Sequence, residues 1–380
     1  VSARKCEIIV GDALERLRGL PSGIARVCMT SPPYWGLRDY GTGKWGGGDP
    51  ECDHRELRGG IGAASQKQVG SAGASTTYRF RDYCKKCGAV RIDSQLGLEA
   101  SPGEYVEKLV EVFAEVRRVL ADDGTLWLNL GDCYATGAGK GGGAPGGGEQ
   151  GERWRGTRES SRRDRAPVGP MTQPNRMAIP GLKAKDLVGI PWRVAFALQA
   201  DGWYLRSEII WAKPNPMPES IEDRPTKAHE QVFLLSKAQR YFYNAAAISE
   251  PALQPMGEPV LTGQHKALAL GRCGSSSALG TNQGPSTRNR RSVWTISTSP
   301  FRGAHFAVMP EALAEPCILA GSEPGDLVID PFAGAGTTGL VALRALRRFL
   351  GIELNPEYAE IARARLARYS DQGEIFPGGS

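Results

Sequence analysis

Two short segments carry residue types that could do chemistry, and neither is a nucleophile–base pair. The first, Thr30-Ser31-Pro32-Pro33-Tyr34-Trp35, closes a short apolar run from Ala25 to Met29. Prolines fix the backbone and carry no amide hydrogen, so the carbonyl between them points in a set direction. The turn therefore offers a hydroxyl (Ser31) and a rigid carbonyl (Pro32) as hydrogen-bond acceptors, beside the aromatic face of Tyr34. Two such acceptors suit an amino group on a planar base. Holding both of its hydrogens would draw its ring-delocalised lone pair toward a nucleophilic geometry, with the aromatic ring stacked on a base turned out of a duplex. Taken alone, the same residues also describe a rigid surface turn with an aromatic plug.

The second segment is Asp330-Pro331-Phe332-Ala333-Gly334-Ala335-Gly336-Thr337-Thr338-Gly339, between an apolar strand and a helix. Glycines here let a backbone turn sharply and approach a ligand, and Glu353, at the end of the next strand, is placed to bind ribose hydroxyls. Gly334 to Gly339 also spells G-x-G-x-x-G, so a nicotinamide or flavin site has to be weighed. Two features argue against it. The run opens with Asp-Pro-Phe, and it lies near the end of the sequence, with room for one further βα repeat where a dinucleotide wants a second half. A tight βα turn with no ligand is the remaining alternative.

Eight cysteines in 380 residues do not make a disulfide scaffold. Cys52-Asp53-His54 and Cys84-Lys85-Lys86-Cys87-Gly88 together hold four ligand types suited to tetrahedral zinc, although Cys-x-His is tighter than the usual spacing. The expected metal, set against a coincidence of cysteines, would be structural, because protein fills all four positions. It would also explain how an insertion poor in apolar residues becomes ordered. Cys6, Cys28, Cys133, Cys273 and Cys317 read as small apolar residues. Pro316-Cys317, expected at the start of an apolar helix, is the one Pro-Cys pair, and no catalytic Cys/His pair is evident.

The elements that must position these segments alternate. Glu7 to Val10 reads as a strand, Ala13 to Leu20 as a helix and Ala25 to Met29 as a strand. Ser101-Pro102-Gly103-Glu104 announces a helix whose apolar face holds Tyr105, Leu109, Val112, Phe113, Val116 and Leu120. Thr125 to Leu130 is a further buried strand. A helix near 186–200 and strands near 203–211 and 230–235 follow. From Pro310 the order is helix, strand 327–329, glycine loop, helix 338–347, strand 349–353 and helix 356–369. This alternation predicts an α/β protein with a parallel sheet covered on both faces.

TSPPYW followed much later by DPFAGAGTTGL resembles motifs IV and I of the amino-group DNA methyltransferases, in the order of their β-type members. Gly11-Asp12 resembles the acidic motif near the adenine of S-adenosylmethionine. Phe301 to Pro310, with His305, resembles the segment beside its methionine end. Ile209 to Lys213, His229-Glu230 and Tyr241 to Asn244 resemble blocks between the two. The resemblance implies a Rossmann-like methyltransferase sheet, circularly permuted, with its first two strands supplied by the C-terminal part. It implies methyl transfer from S-adenosylmethionine to an exocyclic amine in double-stranded DNA, commonly within restriction–modification. Ser31, Pro32, Pro33 and Tyr34 would be catalytic; Asp12, Asp330, Phe332, Gly334, Gly336, Thr337, Thr338, Glu353 and His305 would bind the cofactor. Ser-Pro-Pro-Tyr is used mostly with cytosine N4 and Asp-Pro-Pro-Tyr mostly with adenine N6, so Ser31 favours cytosine, with adenine as the alternative. A dinucleotide oxidoreductase and a non-catalytic zinc-containing DNA-binding protein are the competing classes.

The expected organisation puts the catalytic half at 1–40 and 95–133, a zinc-bearing insertion (Cys52, His54, Cys84, Cys87) at 41–94, and a Gly/Arg-rich segment at 134–180. The core continues at 181–253, target recognition falls at 254–295, and the cofactor half at 296–380. Arg153, Arg155, Arg158, Arg162, Arg163 and Arg165 would hold phosphates, while Gln283, Arg288, Arg290 and Arg291 would reach base edges. Trp35 and Trp45 could wedge into the base stack or serve as core. Net charge is +6, modest for a nucleic-acid binder. No apolar run has membrane-spanning length and the first residues lack a signal-peptide stretch, so a cytoplasmic protein without a membrane partner is expected. A homodimer stays open.

Overall fold

Short apolar strands separated by amphipathic helices assemble into one eight-stranded sheet in the computed structural model, which describes residues 5–36, 42–58, 76–79, 83–135, 179–252, 287–298 and 308–370. In chain order the first elements are β1 (Cys6–Val10), α1 (Ala13–Arg18), β2 (Ala25–Thr30), β3 (Lys44–Gly46), β4 (Arg55–Arg58), β5 (Thr76–Arg79) and β6 (Val90–Ile92). Next come α2 (Pro102–Val119), β7 (Leu120–Leu130), α3 (Ile190–Ala200), β8 (Tyr204–Ala212), β9 (His229–Ser236), β10 (Glu250–Pro251), β11 (Thr287–Arg288) and β12 (Val293–Thr295). The last are α4 (Glu311–Gly321), β13 (Leu327–Asp330), α5 (Thr337–Arg344), β14 (Arg348–Glu353) and α6 (Pro356–Leu366).

The strand order is β1-β14-β13-β2-β7-β9-β8-β12. Strands from the end of the sequence thus lie between the first two, and β1 to β7 in that order are all parallel. The sheet is not wholly parallel as predicted. β9 runs antiparallel to both β7 and β8. The reason is the connection: residues 213–228 contain no helix, and without a crossover a strand returning beside its predecessor must reverse. Three small two-stranded pairings, β3–β6, β4–β5 and β10–β11, lie outside this sheet. The final residues of the segment assigned to target recognition form the edge strand β12.

Burial on both faces explains the near-continuous apolar strands. Leu126, Leu128 and Leu130 pack with α1, α2 and α3, whereas Trp127 points into the other core with α4, α5 and α6. Leu327 and Ile329 against Val328 repeat the same alternation. Helix α2 begins where its sequence signature places it: Ser101 Oγ accepts the Glu104 amide at 3.2 Å and Glu104 Oε2 accepts the Ala100 amide at 3.2 Å. Its predicted apolar residues are all buried. Pro316-Cys317 is inside α4, not at its start. Burial pushes the Cys317 thiol far up, and its sulfur donates to the Leu313 carbonyl, so it is a packing residue. No helix among the described residues is long and apolar enough to cross a membrane.

Candidate active site

Parallel strands end together, and the loops leaving their carboxyl ends converge. Here β1, β14, β13 and β2 deliver Asp12, Glu353, Asp330 and Ser31 to one cavity of about 650 Å³. The glycine loop and the proline turn, 300 residues apart in sequence, are walls of this one space.

Asp330 ties the two walls together. Its Oδ1 accepts from the Thr30 hydroxyl at 2.6 Å and the Phe332 amide at 3.0 Å, and its Oδ2 accepts from Thr338 at 2.7 Å. Burial pushes its carboxyl up to about 6, against the pull of these donors. Asp330 thus acts as the fastener of the loop. Gly334 (φ 51°) and Gly336 (φ 76°) adopt the left-handed conformation that a side chain resists. At Gly336 a Cβ would also meet Ala362 at 3.1 Å. The Gly334 amide donates to Glu353 Oε2 and the Asn355 amide to Oε1, both at 2.8 Å. Each of these oxygens keeps a lone pair for a hydroxyl. Burial raises the Glu353 carboxyl. Asp12 lines the cavity and also caps α1, accepting the Glu15 amide at 3.0 Å. Phe332, Thr337 and Thr338 line it too, whereas Gly336 is spent on the turn.

Around the proline turn the structure adds residues that were read only as parts of recurring blocks or within a strand. Tyr34 donates its hydroxyl hydrogen to Glu230 Oε2 at 2.7 Å. The two hydrogens of Asn129 Nδ2 are shared among the same hydroxyl at 2.8 Å, Glu230 Oε2 at 3.1 Å and Ser31 Oγ at 3.4 Å. Glu230 pairs through its other oxygen with Lys213, whose ammonium also sits 4.2 Å from the centre of the Trp211 ring. Burial and the adjacent Glu230 charge hold the Tyr34 phenol well above its ordinary value, so it remains a donor. One face of the Tyr34 ring lies on Gly131, where a Cβ would come within 2.4 Å. Tyr105 reaches from α2 to donate to the Pro33 carbonyl at 2.8 Å, which pins the turn. Asn129 is the sole polar side chain in Leu126–Leu130, and that isolation was the available signal. Lys213 and Glu230 were read only within the resembling blocks Ile209–Lys213 and His229-Glu230, and their pairing was not legible, because only the pairing of β8 with β9 brings them together.

Trp35 is core: it is 1% exposed and donates to the Glu99 carbonyl at 3.0 Å. Trp45 stacks on His54 with ring centres 4.4 Å apart. Cys52, His54, Cys84 and Cys87 come together away from this cavity, with all ligand atoms within 4.8 Å of one another. Arg288 and Arg291 both donate to Glu250 Oε1, at 2.9 and 2.7 Å, and Arg290 lies over the Trp294 ring. His305, Gln283 and the arginines from Arg153 to Arg165 lie outside the described residues.

Such a cleft, with a glycine loop at one strand end and a proline turn at its neighbour, is the strand-end crevice in which α/β enzymes bind their ligands. The family model for DNA methylase, of the N6/N4 group, matches residues 25–364. The type II methyltransferase M.SmaI of Serratia marcescens is 40% identical over 96% of this chain and 92% of its own length. M.XycI of Xanthomonas campestris pv. cyanopsidis is 41% identical over 96% and 88%. Among solved structures, the PvuII DNA methyltransferase (cytosine-N4-specific) superposes with a TM-score of 0.53 at 19% identity, covering 96% of this chain and 87% of that one. The chain belongs to the N6/N4 DNA methylase family, and it is a DNA methyltransferase of the amino-group type.

Proposed function

We propose that the protein transfers the methyl group of S-adenosylmethionine to the exocyclic amine of a base extruded from double-stranded DNA, at cytosine N4. The observation that carries this reading is the shared cavity, lined both by Ser31, Pro32 and Tyr34 and by Gly334, Thr337 and Glu353. Its volume suits a nucleoside-sized ligand. Bound there, S-adenosylmethionine would supply an electrophilic methyl group on sulfonium. Glu353 would accept from the ribose hydroxyls, the Gly334 loop would pass beneath the cofactor, and Asp12 would face its adenine.

On the other wall Ser31 Oγ, already holding the Asn129 amide, keeps a lone pair for one amine hydrogen, and the rigid Pro32 carbonyl suits the other. Tyr34, held by Gly131, Glu230 and Asn129, would present its open face to the base. No covalent intermediate on the enzyme is needed, since positioning and exclusion of water lower the barrier. Serine in the turn and the base named for the PvuII enzyme both support cytosine N4. The order of β13 and β14 inside the sheet supports reading the fold as a circular permutation. Arg288, Arg290 and Arg291, at and just after the end of β11, would lie against DNA. Cys52, His54, Cys84 and Cys87 would hold a structural zinc.

Methylated DNA digested to nucleosides and separated by mass tests the reading. N4-methylcytosine is expected and N6-methyladenine would move the target to adenine. 5-Methylcytosine, or no methylated nucleoside, would overturn it.

A further inference from the structure

The described residues of the insertion that follows the proline turn bury few apolar side chains. Among its described residues, Cys84 and Ala89 form a small buried cluster, with Trp45, Cys52 and Cys87 packed against them. Two buried residues offset little of the entropy of ordering the loops that carry the cysteines, and a bound metal would supply what they lack. Cys52 Sγ and Cys84 Sγ are 3.7 Å apart, and Cys87 Sγ is 3.6 Å from His54 Nδ1. A tetrahedral zinc with bonds of about 2.3 Å to sulfur and about 2.0 Å to nitrogen has edges of about 3.8 Å and about 3.5 Å. Two of the six edges thus match a zinc tetrahedron, and all four ligand atoms lie within 4.8 Å of one another. The turn that presents two of them is closed by backbone bonds, Gly88 amide to Cys84 carbonyl at 2.8 Å and Cys84 amide to Ala89 carbonyl at 2.7 Å. Trp45, stacked on the His54 ring, orients the imidazole.

What this knuckle adjoins matters more than the knuckle itself. Trp45 belongs to β3, which pairs with β6 directly after Cys87 and Ala89. Beyond β6, Asp93 gathers the Thr42 hydroxyl at 2.8 Å and the Gln95 amide at 3.0 Å. The chain then reaches the proline turn: the Gly36 amide donates to the Gly97 carbonyl at 2.8 Å. Gly97 has no room for a side chain, since a Cβ would lie 2.8 Å from the Tyr34 carbonyl. Thr42, Ser94, Gln95 and Leu96 line the same cavity as Ser31 and Tyr34.

We infer that Cys52, His54, Cys84 and Cys87 bind zinc in order to build the base-side wall of the active-site cavity, so that metal loading controls engagement of the target base and not of the cofactor. The inference rests on the proposed reading of that cavity, and its test separates the two. Full-length protein purified without chelator should carry about one zinc by elemental analysis, by the four-ligand count. Stripping the metal, or Cys87→Ser, should raise amide exchange at 42–46, 90–97 and around Tyr34, while residues 327–353 stay protected. It should lower kcat/KM for duplex DNA about a hundredfold, the scale of an ångström-level misplacement. Affinity for S-adenosylmethionine should stay within about twofold, as for uncoupled sites. Added zinc should restore the stripped protein, and Cys87→His, which keeps a ligand, should retain the metal. Protein without zinc, unchanged exchange on stripping, or loss of protection at 327–353 as well would each overturn the inference. A zinc-loaded protein that shows these exchange changes but methylates no DNA would instead count against the proposed reaction.

Discussion

On one side of the cleft, Asp330, Gly334 and Glu353 come from a single strand–loop–helix–strand stretch and are held by neutral hydroxyls and backbone amides. On the other, Asn129 and Glu230 come from two strands and Ser31 and Lys213 from just beyond the ends of two more, all held by a charge pair with a shared phenol and amide. The first wall is a local device whose geometry comes from glycine and from strand ends. The second exists only once the sheet has assembled in order. They meet where the Thr30 hydroxyl donates to Asp330 and the Thr338 hydroxyl reaches the Met29 carbonyl. Disturbing either wall should accordingly leave the other nearly intact.

The sharpest way to break that comparison is Glu230→Ala. It strands the Lys213 ammonium and deprives Tyr34 and Asn129 of an acceptor, which should cost about 3 kcal/mol of stability by denaturant unfolding. Methyl transfer should fall steeply, with cofactor affinity within about twofold. A loss of cofactor binding as large as the loss of turnover would show that the walls are not separate. Glu230→Gln should recover part of the stability, because it preserves an acceptor for Tyr34.

Asp330 sharpens the other side through pH. Burial raises its folded carboxyl from 3.8 to about 6. A raised value favours the folded state fully below the unfolded value, and that contribution is lost as pH rises through the folded one. Relative to Asp330→Asn, the native protein should therefore lose about 3 kcal/mol between pH 4 and 6, at about 1.4 kcal/mol per pH unit. Parallel stability curves for the two proteins over that range would refute the assignment of this burial cost to Asp330.

The smallest expected effect belongs to Tyr34→Phe. The ring remains on Gly131, so stacking survives, and the lost hydroxyl bonds should cost about 1 kcal/mol. Single-turnover methylation should slow by less than about tenfold, since no more than about 1.4 kcal/mol is at stake. A far larger drop would mean that the phenol acts in the reaction itself.

Local patterns in the sequence determined a good deal. Ser101-Pro102-Gly103-Glu104 marked the start of α2, because its capping bonds close within residues 100–104. The glycines at 334 and 336 marked a strand-to-helix turn, because positive φ is a property of single residues. The Cys-x-His and Cys-x-x-Cys segments pointed to a shared site through their ligand types, and the structure brings the four together. The tertiary structure alone decided that β9 returns antiparallel between β7 and β8, which sets Glu230 beside Lys213 and Tyr34. It alone spent Asp330 on fastening two loops, took Trp35 into the core, and set the residues after the cysteine knuckle against the proline turn. Each of these depends on contacts between residues far apart in the chain. Such contacts are selected by the free energy of the whole assembled sheet, and no local window of sequence encodes it.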